Sequence, residues 1–294
     1  MVDFTRAHER LPKTAINATF SIGKAEILIT PPAAAAGEGD LLIHFHGASW
    51  LPFQAGLSTH LPLVVAAVNV GEGGGAYDQA FRDPRALDEL LAGIRARIRI
   101  RHLYLSGFSA GYGAVRAILR YAEPSPGPSG HPLPQGEGTR GLQTPLPQGE
   151  GTRGLQTPLP QGEGAAERRV RVDGVLLLAG LHTSYVENRQ VDPIAMQPFL
   201  EFARAASAGK KRFVFTHSEI FPGTFASTTE TADYLIRELG LKRTPVVRWG
   251  PRGMQQLSEV RSGGLTILGF AGNSAPDHID QFHSMPEFLQ LLFE

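Results

Sequence analysis

The residues Gly107-Phe108-Ser109-Ala110-Gly111 fit the pattern G-x-S-x-G, and their setting gives the pattern a chemistry. They follow the short apolar run HLYLS and open the segment AGYGAVRAILRY, so Ser109 sits between a predicted strand and a predicted helix. A serine on a sharp strand-to-helix turn projects its hydroxyl above the sheet, where it can attack a carbonyl carbon. Gly107 and Gly111 leave room for the turn and for close helix packing. The first amides of the helix point toward an oxyanion that would form there. The plainer reading makes Ser109 a helix N-cap.

A serine hydroxyl needs a base, an orienting acid and oxyanion donors. His44-Phe45-His46-Gly47-Ala48 ends another predicted strand. An amide of the loop after such a strand completes an oxyanion hole, so the two donors are assigned to Ala48 and Ala110, with His46 and Gly47 supporting that loop. His44 and His46 share one strand face, which also opens a metal reading. That reading lacks a third ligand, since His60 and Asp78 fall in loops of unassigned position. The base is read as His278, placed in the loop before the last helix, with His283 assigned to packing or surface. The acid is read as Glu219, just past the strand KRFVFT, which keeps the chain order Ser, acid, His. Asp277 and Asp280 flank His278 too closely in sequence to orient its far nitrogen. His182 and His217 lie near strand ends, where each either lines the pocket or is incidental.

The elements that must hold these groups alternate regularly. Strands are predicted at 25–30, 41–46, 63–70, 102–106, 172–178 and 212–216. Helices are predicted at 84–98, 110–121, 193–206, 228–239 and 286–293, the first with Leu87, Leu90, Leu91 and Ile94 on one side. Segments 256–261 and 265–270 flank Gly263-Gly264 and read as a hairpin. This alternation implies a mostly parallel sheet covered by helices on both faces, an α/β class fold.

One stretch stands apart. PLPQGEGTRGLQT occupies 132–144, recurs at 145–157 and begins again at 158–164. It carries too few large side chains to offset the entropy of ordering, so 123–166 reads as a disordered low-complexity insertion interrupting a single domain spanning 1–294. The chain has 294 residues, 28 basic and 28 acidic, and no cysteine. Balanced charge gives no expectation of nucleic acid or a membrane surface as partner. The absence of cysteine removes disulfides and thiolate chemistry. No secretory leader is read at the start, and the location expected is cytoplasmic. The arginines at 95, 97, 99 and 101 read as a solvated face.

Together the HFHGA loop, the GFSAG turn and the late His278 resemble the α/β-hydrolase superfamily, especially its bacterial esterase-like members. The resemblance covers most of the chain outside the repeat. It implies a mainly parallel sheet of about eight strands and a Ser109–His278–acid triad acting through an acyl-enzyme, with no cofactor and no metal. The acid position lacks the Gly-x-x-Asp pattern common in the family. The short stretch 179–190 leaves no room for a large lid. Trp50, Leu51, Phe53 and Leu57 read either as an apolar acyl pocket or as a loop packed on the core. A small or medium carboxylic ester is the expected substrate. The alternatives are a serine peptidase or acyltransferase with the same triad, or a hydrolase-fold protein that only binds. Gly71-x-Gly73-x-x-Ala76 approximates a dinucleotide fingerprint, but the next helix is predicted only at Pro84, and Glu72 stands where phosphate would sit.

Overall fold

The structure, a computed structural model, describes residues 10–16, 18–122 and 170–294. The repeat insertion read over 123–166 and the start of the chain both lie outside the described residues. Among the described residues ten strands form one sheet: β1 (Thr19–Ile22), β2 (Ala25–Ile29), β3 (Glu38–Phe45), β4 (Leu63–Val68), β5 (Arg99–Phe108), β6 (Gly174–Leu178), β7 (Arg212–Ser218), β8 (Thr244–Trp249), β9 (Gln255–Ser262) and β10 (Leu265–Phe270). Their order is β1-β2-β4-β3-β5-β6-β7-β10-β9-β8. From β4 to β10 every neighbouring pair is parallel. β2 and β1 extend one edge antiparallel, and β9 and β8 extend the other. The expected sheet of about eight strands is therefore ten. The added strands are the edges β1 and β8, which carry no buried residue and so no apolar alternation to read. β8 also holds Pro245, which only an edge strand accommodates easily.

The helices are α1 (Pro31–Ala36), α2 (Trp50–Ser58), α3 (Gly74–Phe81), α4 (Pro84–Arg95), α5 (Tyr112–Tyr121), α6 (Pro193–Ser207), α7 (Thr228–Glu238), α8 (Ala275–His283) and α9 (Met285–Phe293). They cover both sheet faces, as β3 illustrates. Its Leu41, Ile43 and Phe45 join one core with Leu87 and Leu91 of α4, Ile118 of α5 and Phe199 of α6. Its Leu42 joins the opposite core with Leu51 and Phe53 of α2 and Phe288 and Leu292 of α9. Strand alternation feeds both layers, the mark of a sheet buried on its two sides. This is the doubly covered, mostly parallel architecture that the resemblance implied.

Two expectations are corrected here. The segment from Trp50 is a helix and not a loop; of its two readings, packing on the core is the one that Leu51 and Phe53 meet, since both are buried there. A helix does start in the glycine-rich stretch after β4, at Gly74, ahead of the one at Pro84. Its seat is set by packing. A Cβ at Gly113 of α5 would collide with the Gly74 carbonyl oxygen, so the two helices approach backbone to backbone. Beside that contact the buried Asp78 of α3 binds Arg82 at 2.9 Å, Arg116 at 3.0 Å and Arg120 at 3.0 Å. Burial pushes the Asp78 carboxyl up, but hydrogen bonds from Arg82 and Arg116, with the arginine charges, outweigh it and hold the group below the usual carboxylate range.

Candidate active site

Ser109 occupies a one-turn 3₁₀ helix, Ser109–Gly111, between β5 and α5. Its φ of +47° lies in the left-handed region, uncommon for a residue with a Cβ. The surroundings fix that strain. A Cβ at Gly107 would come within 2.9 Å of the Gly111 carbonyl carbon, and one at Gly111 would collide with the Phe45 carbonyl oxygen. A side chain at either position would push the turn off β3.

Ser109 opens onto a cleft of about 530 Å³ lined also by His46, Ala110, Tyr112 and His182. Glu72, Gly73, Gly74 and Phe225 complete the wall, so the tip of α3 faces the serine. Sequence reasoning missed this wall, because a run of glycines reads as loop. His182, four residues past the end of β6, is thus a cleft residue. Its Nδ1 lies 3.0 Å from the Ala226 carbonyl oxygen, to which it donates, and its ring packs edge-on against Tyr112 and Phe225. Burial lowers its pKa.

The loop after β3 is tied down by a hydrogen-bonded ring. His46 has φ +72° and Gly47 φ +105°. The Tyr77 hydroxyl donates to Asn69 Oδ1 at 3.4 Å and accepts from His46 Nδ1 at 3.1 Å. Asn69 accepts from the Gly47 amide at 3.1 Å and donates to its carbonyl at 2.9 Å. Sequence reasoning found neither Asn69 nor Tyr77, whose shared role depends on contacts between β4, α3 and this loop. The His46 amide is bonded to Val68 at 3.2 Å, which leaves the Ala48 amide without a partner among the described residues. Of the two assigned oxyanion donors, Ala110 lines the cleft and Ala48 is exposed beyond its wall. Burial lowers the His46 pKa, against an upward pull from Glu72. His44 faces the other way. Its Nδ1 meets Ser106 Oγ at 3.0 Å and its Nε2 donates to the His46 carbonyl at 2.9 Å. Among the described residues no group of three or more metal-ligating side chains is placed to hold a metal ion.

His278 lies on α8, not in a loop. Ser274 and Asp277 form a reciprocal capping box and Pro276 occupies the first turn, so the helix starts three residues before the histidine. The His278 ring packs on Phe108, the residue before the serine, at 4.6 Å between centroids. Burial pushes its pKa down to about 4, and the nearby His182 and His46 push the same way. His278 thus packs on the residue before the serine and lies within electrostatic reach of His182 and His46, which line the cleft with Ser109, while His278 is not itself among the lining residues. Among the described residues neither the His278 ring nor Ser109 Oγ makes a hydrogen bond. Glu219 is not brought to them. It is exposed, one residue past β7, because that strand buries its final His217 and Ser218 and then turns out to solvent. His217 itself is buried behind the site, bonded to Thr229 at 3.0 Å and Arg243 at 2.8 Å. Asp277 caps its own helix, and Asp280 pairs with Arg10 at 3.3 Å. His283 accepts from the Leu11 amide at 3.1 Å and packs on Trp50, a structural role. Among the described residues no helix is long and apolar enough to cross a membrane.

No protein-family model matches the chain, and no curated protein matches it. Among solved structures it is similar to Est1E from Butyrivibrio proteoclasticus, with 7% identity, a TM-score of 0.42 and coverage of 92% of this chain and 95% of that one. It is similar to S-formylglutathione hydrolase FrmB from Staphylococcus aureus, with 8% identity, a TM-score of 0.43 and coverage of 95% and 96%. It is also similar to carboxylesterase CesB from Bacillus subtilis, with 8% identity, a TM-score of 0.44 and coverage of 96% and 93%. At such identities and TM-scores, the chemistry of this site rests on its own geometry.

Proposed function

We propose that the protein is a serine hydrolase acting on small or medium carboxylic esters, with Ser109 as nucleophile and His278 as general base. The observation that carries this reading is the strained Ser109, held at φ +47° between β5 and α5 and open to a cleft. A serine kept in that conformation by glycine contacts on both sides serves exposure of its hydroxyl better than it serves folding. The cleft volume falls within the range that encloses a small molecule.

In this reading Ser109 Oγ bonds to the carbonyl carbon while its proton passes to the His278 imidazole. The carbonyl oxygen becomes an oxyanion, stabilised by the Ala110 amide, the one of the two assigned donors that lines the cleft. The C–O bond to the alcohol then breaks, and His278 returns the proton to the leaving alkoxide. Water, deprotonated by the same imidazole, releases the acid from the acyl-enzyme. His278 is steadied by the Phe108 ring, and among the described residues no carboxylate is bonded to it. Loose contact between nucleophile and base is common in unliganded sites. A peptidase or acyltransferase would use the same groups, and the acceptor of the acyl group separates them.

The missing His278–carboxylate bond favours one second reading, a protein of this fold that binds without catalysis. Labelling with a fluorophosphonate probe decides between them. Label that appears on the wild type and vanishes in Ser109→Ala, with turnover of p-nitrophenyl acetate, supports the hydrolase. A folded wild type that takes no label overturns it.

A further inference from the structure

We infer that the cleft selects esters carrying an ammonium group, with Glu72 and the rings of Tyr112, His182 and Phe225 as the recognition elements. This rests on the hydrolase reading of Ser109. Three observations support it.

Among the described residues that line the cleft, Glu72 is the only carboxylate, and no lysine or arginine is among them. The lining histidines do not offset that charge near neutral pH, because burial lowers the pKa of both His46 and His182. An anionic ester would meet repulsion here, and a cationic one attraction.

The backbone brings residue 72 to the cleft. Glu72 stands between Gly71, at φ +150°, and Gly73, at φ +78°, conformations that L side chains rarely adopt. The Gly74 backbone packs on the Tyr112 ring, where a Cβ would come within 2.6 Å of the hydroxyl. Glu72 is an exposed residue that lines the serine cleft, and its charge reaches His46, whose pKa it draws upward against the effect of burial.

The same cleft carries an aromatic corner. His182 meets Tyr112 at 5.6 Å and 71°, and Phe225 at 5.1 Å and 86°. Ring faces attract desolvated cations, and such corners with a nearby carboxylate suit substituted ammonium ions. Phe225 is 39% exposed although it is a large apolar ring, so it contributes surface to the cleft and little to the core.

The test compares acetylthiocholine with its uncharged isostere, in which tert-butyl replaces trimethylammonium. At low salt, wild-type kcat/KM should favour the charged thioester by about tenfold, and salt should erode the preference. The charged-to-neutral ratio should fall severalfold in Glu72→Gln and in Phe225→Ala. A wild type that turns over both thioesters equally, or a preference that Glu72→Gln leaves intact, overturns the inference while the hydrolase reading stands. If neither thioester nor p-nitrophenyl acetate reacts and no fluorophosphonate label appears, the hydrolase reading fails. Calorimetric binding of phenyltrimethylammonium then decides the cation site: binding weakened by Glu72→Gln supports it, and no binding to the wild type overturns it.

Discussion

Gly180 lies directly against Ser109: a Cβ at position 180 would come within 2.5 Å of the serine carbonyl oxygen and 2.6 Å of its amide nitrogen. The segment leaving β6 therefore braces the nucleophile turn from the side opposite Phe45. Gly180→Ala should displace the turn and lower kcat on p-nitrophenyl acetate by about 10²-fold, the cost of misplacing a reacting atom by about 1 Å. Circular dichroism on the same variant checks that the fold survives. Undiminished turnover would show that the turn has slack.

His278→Ala removes the assigned base and should cut kcat by about 10²–10⁴-fold. His182→Ala removes a cleft wall and should act mainly on KM. Steady-state kinetics on both variants separates the roles, and a larger kcat loss in the His182 variant would transfer the base assignment to it.

The pH profile follows from the position of His278. A general base works uncharged, and burial first, then the neighbouring His182 and His46, depress its pKa to about 4. The acid limb of kcat/KM should therefore fall near pH 4 and leave activity level from pH 6 to 8. An inflection at the ordinary histidine value, about 6.5, would mean that the working base is more exposed than His278.

Stability should also fall on mild acidification. His44 and His217 are each pushed down to about 3, mainly by burial, with Arg243 adding to the effect at His217. The unfolded chain protonates these groups first, as pH drops through about 6.5. Their contribution is complete above that value and is lost steadily as pH falls toward the folded values. Urea midpoints measured from pH 7 to 5, above most carboxylate titration, should decline, and His217→Gln should shallow the slope. An unchanged slope would show that His217 is not held uncharged.

Asp78→Asn leaves Arg82, Arg116 and Arg120 facing one another across α3 and α5. The expected loss is about 2–3 kcal/mol, below the full cost of breaking a buried ion pair because Arg82 and Arg120 are partly screened by water. Urea denaturation measures it, and a loss below about 1 kcal/mol would show that solvent carries most of the arginine charge.

Much of this was legible in sequence where one residue pattern maps to one local geometry. The buried runs at 63–70 and 172–178 became β4 and β6, and Gly263-Gly264 turns the antiparallel pair β9–β10. The strand-to-helix turn that carries Ser109 was legible because a short apolar run precedes it and a helix-periodic run follows it. The cleft wall was not legible. α3 begins among glycines of poor helix propensity, and its stability comes from Asp78 and the close approach to Gly113, which are tertiary facts. α8 was hidden for a related reason: nine residues with a proline in the first turn give a weak signal, although Ser274 and Asp277 spell a capping box. Glu219 shows the reverse limit. Its place after β7 was read correctly, but the direction of the chain beyond a strand depends on what the strand end buries.

The rings of His44, Phe282, Phe108 and His278 form one continuous pile, with centroid separations of 5.2, 4.5 and 4.6 Å. Phe108 and Phe282 belong to the core beneath α2 and α9. If His278 is the base, as proposed, its aim comes from apolar packing, which fades on cooling and in dilute denaturant. Whatever loosens that side of the molecule should disarm the imidazole before the chain unfolds.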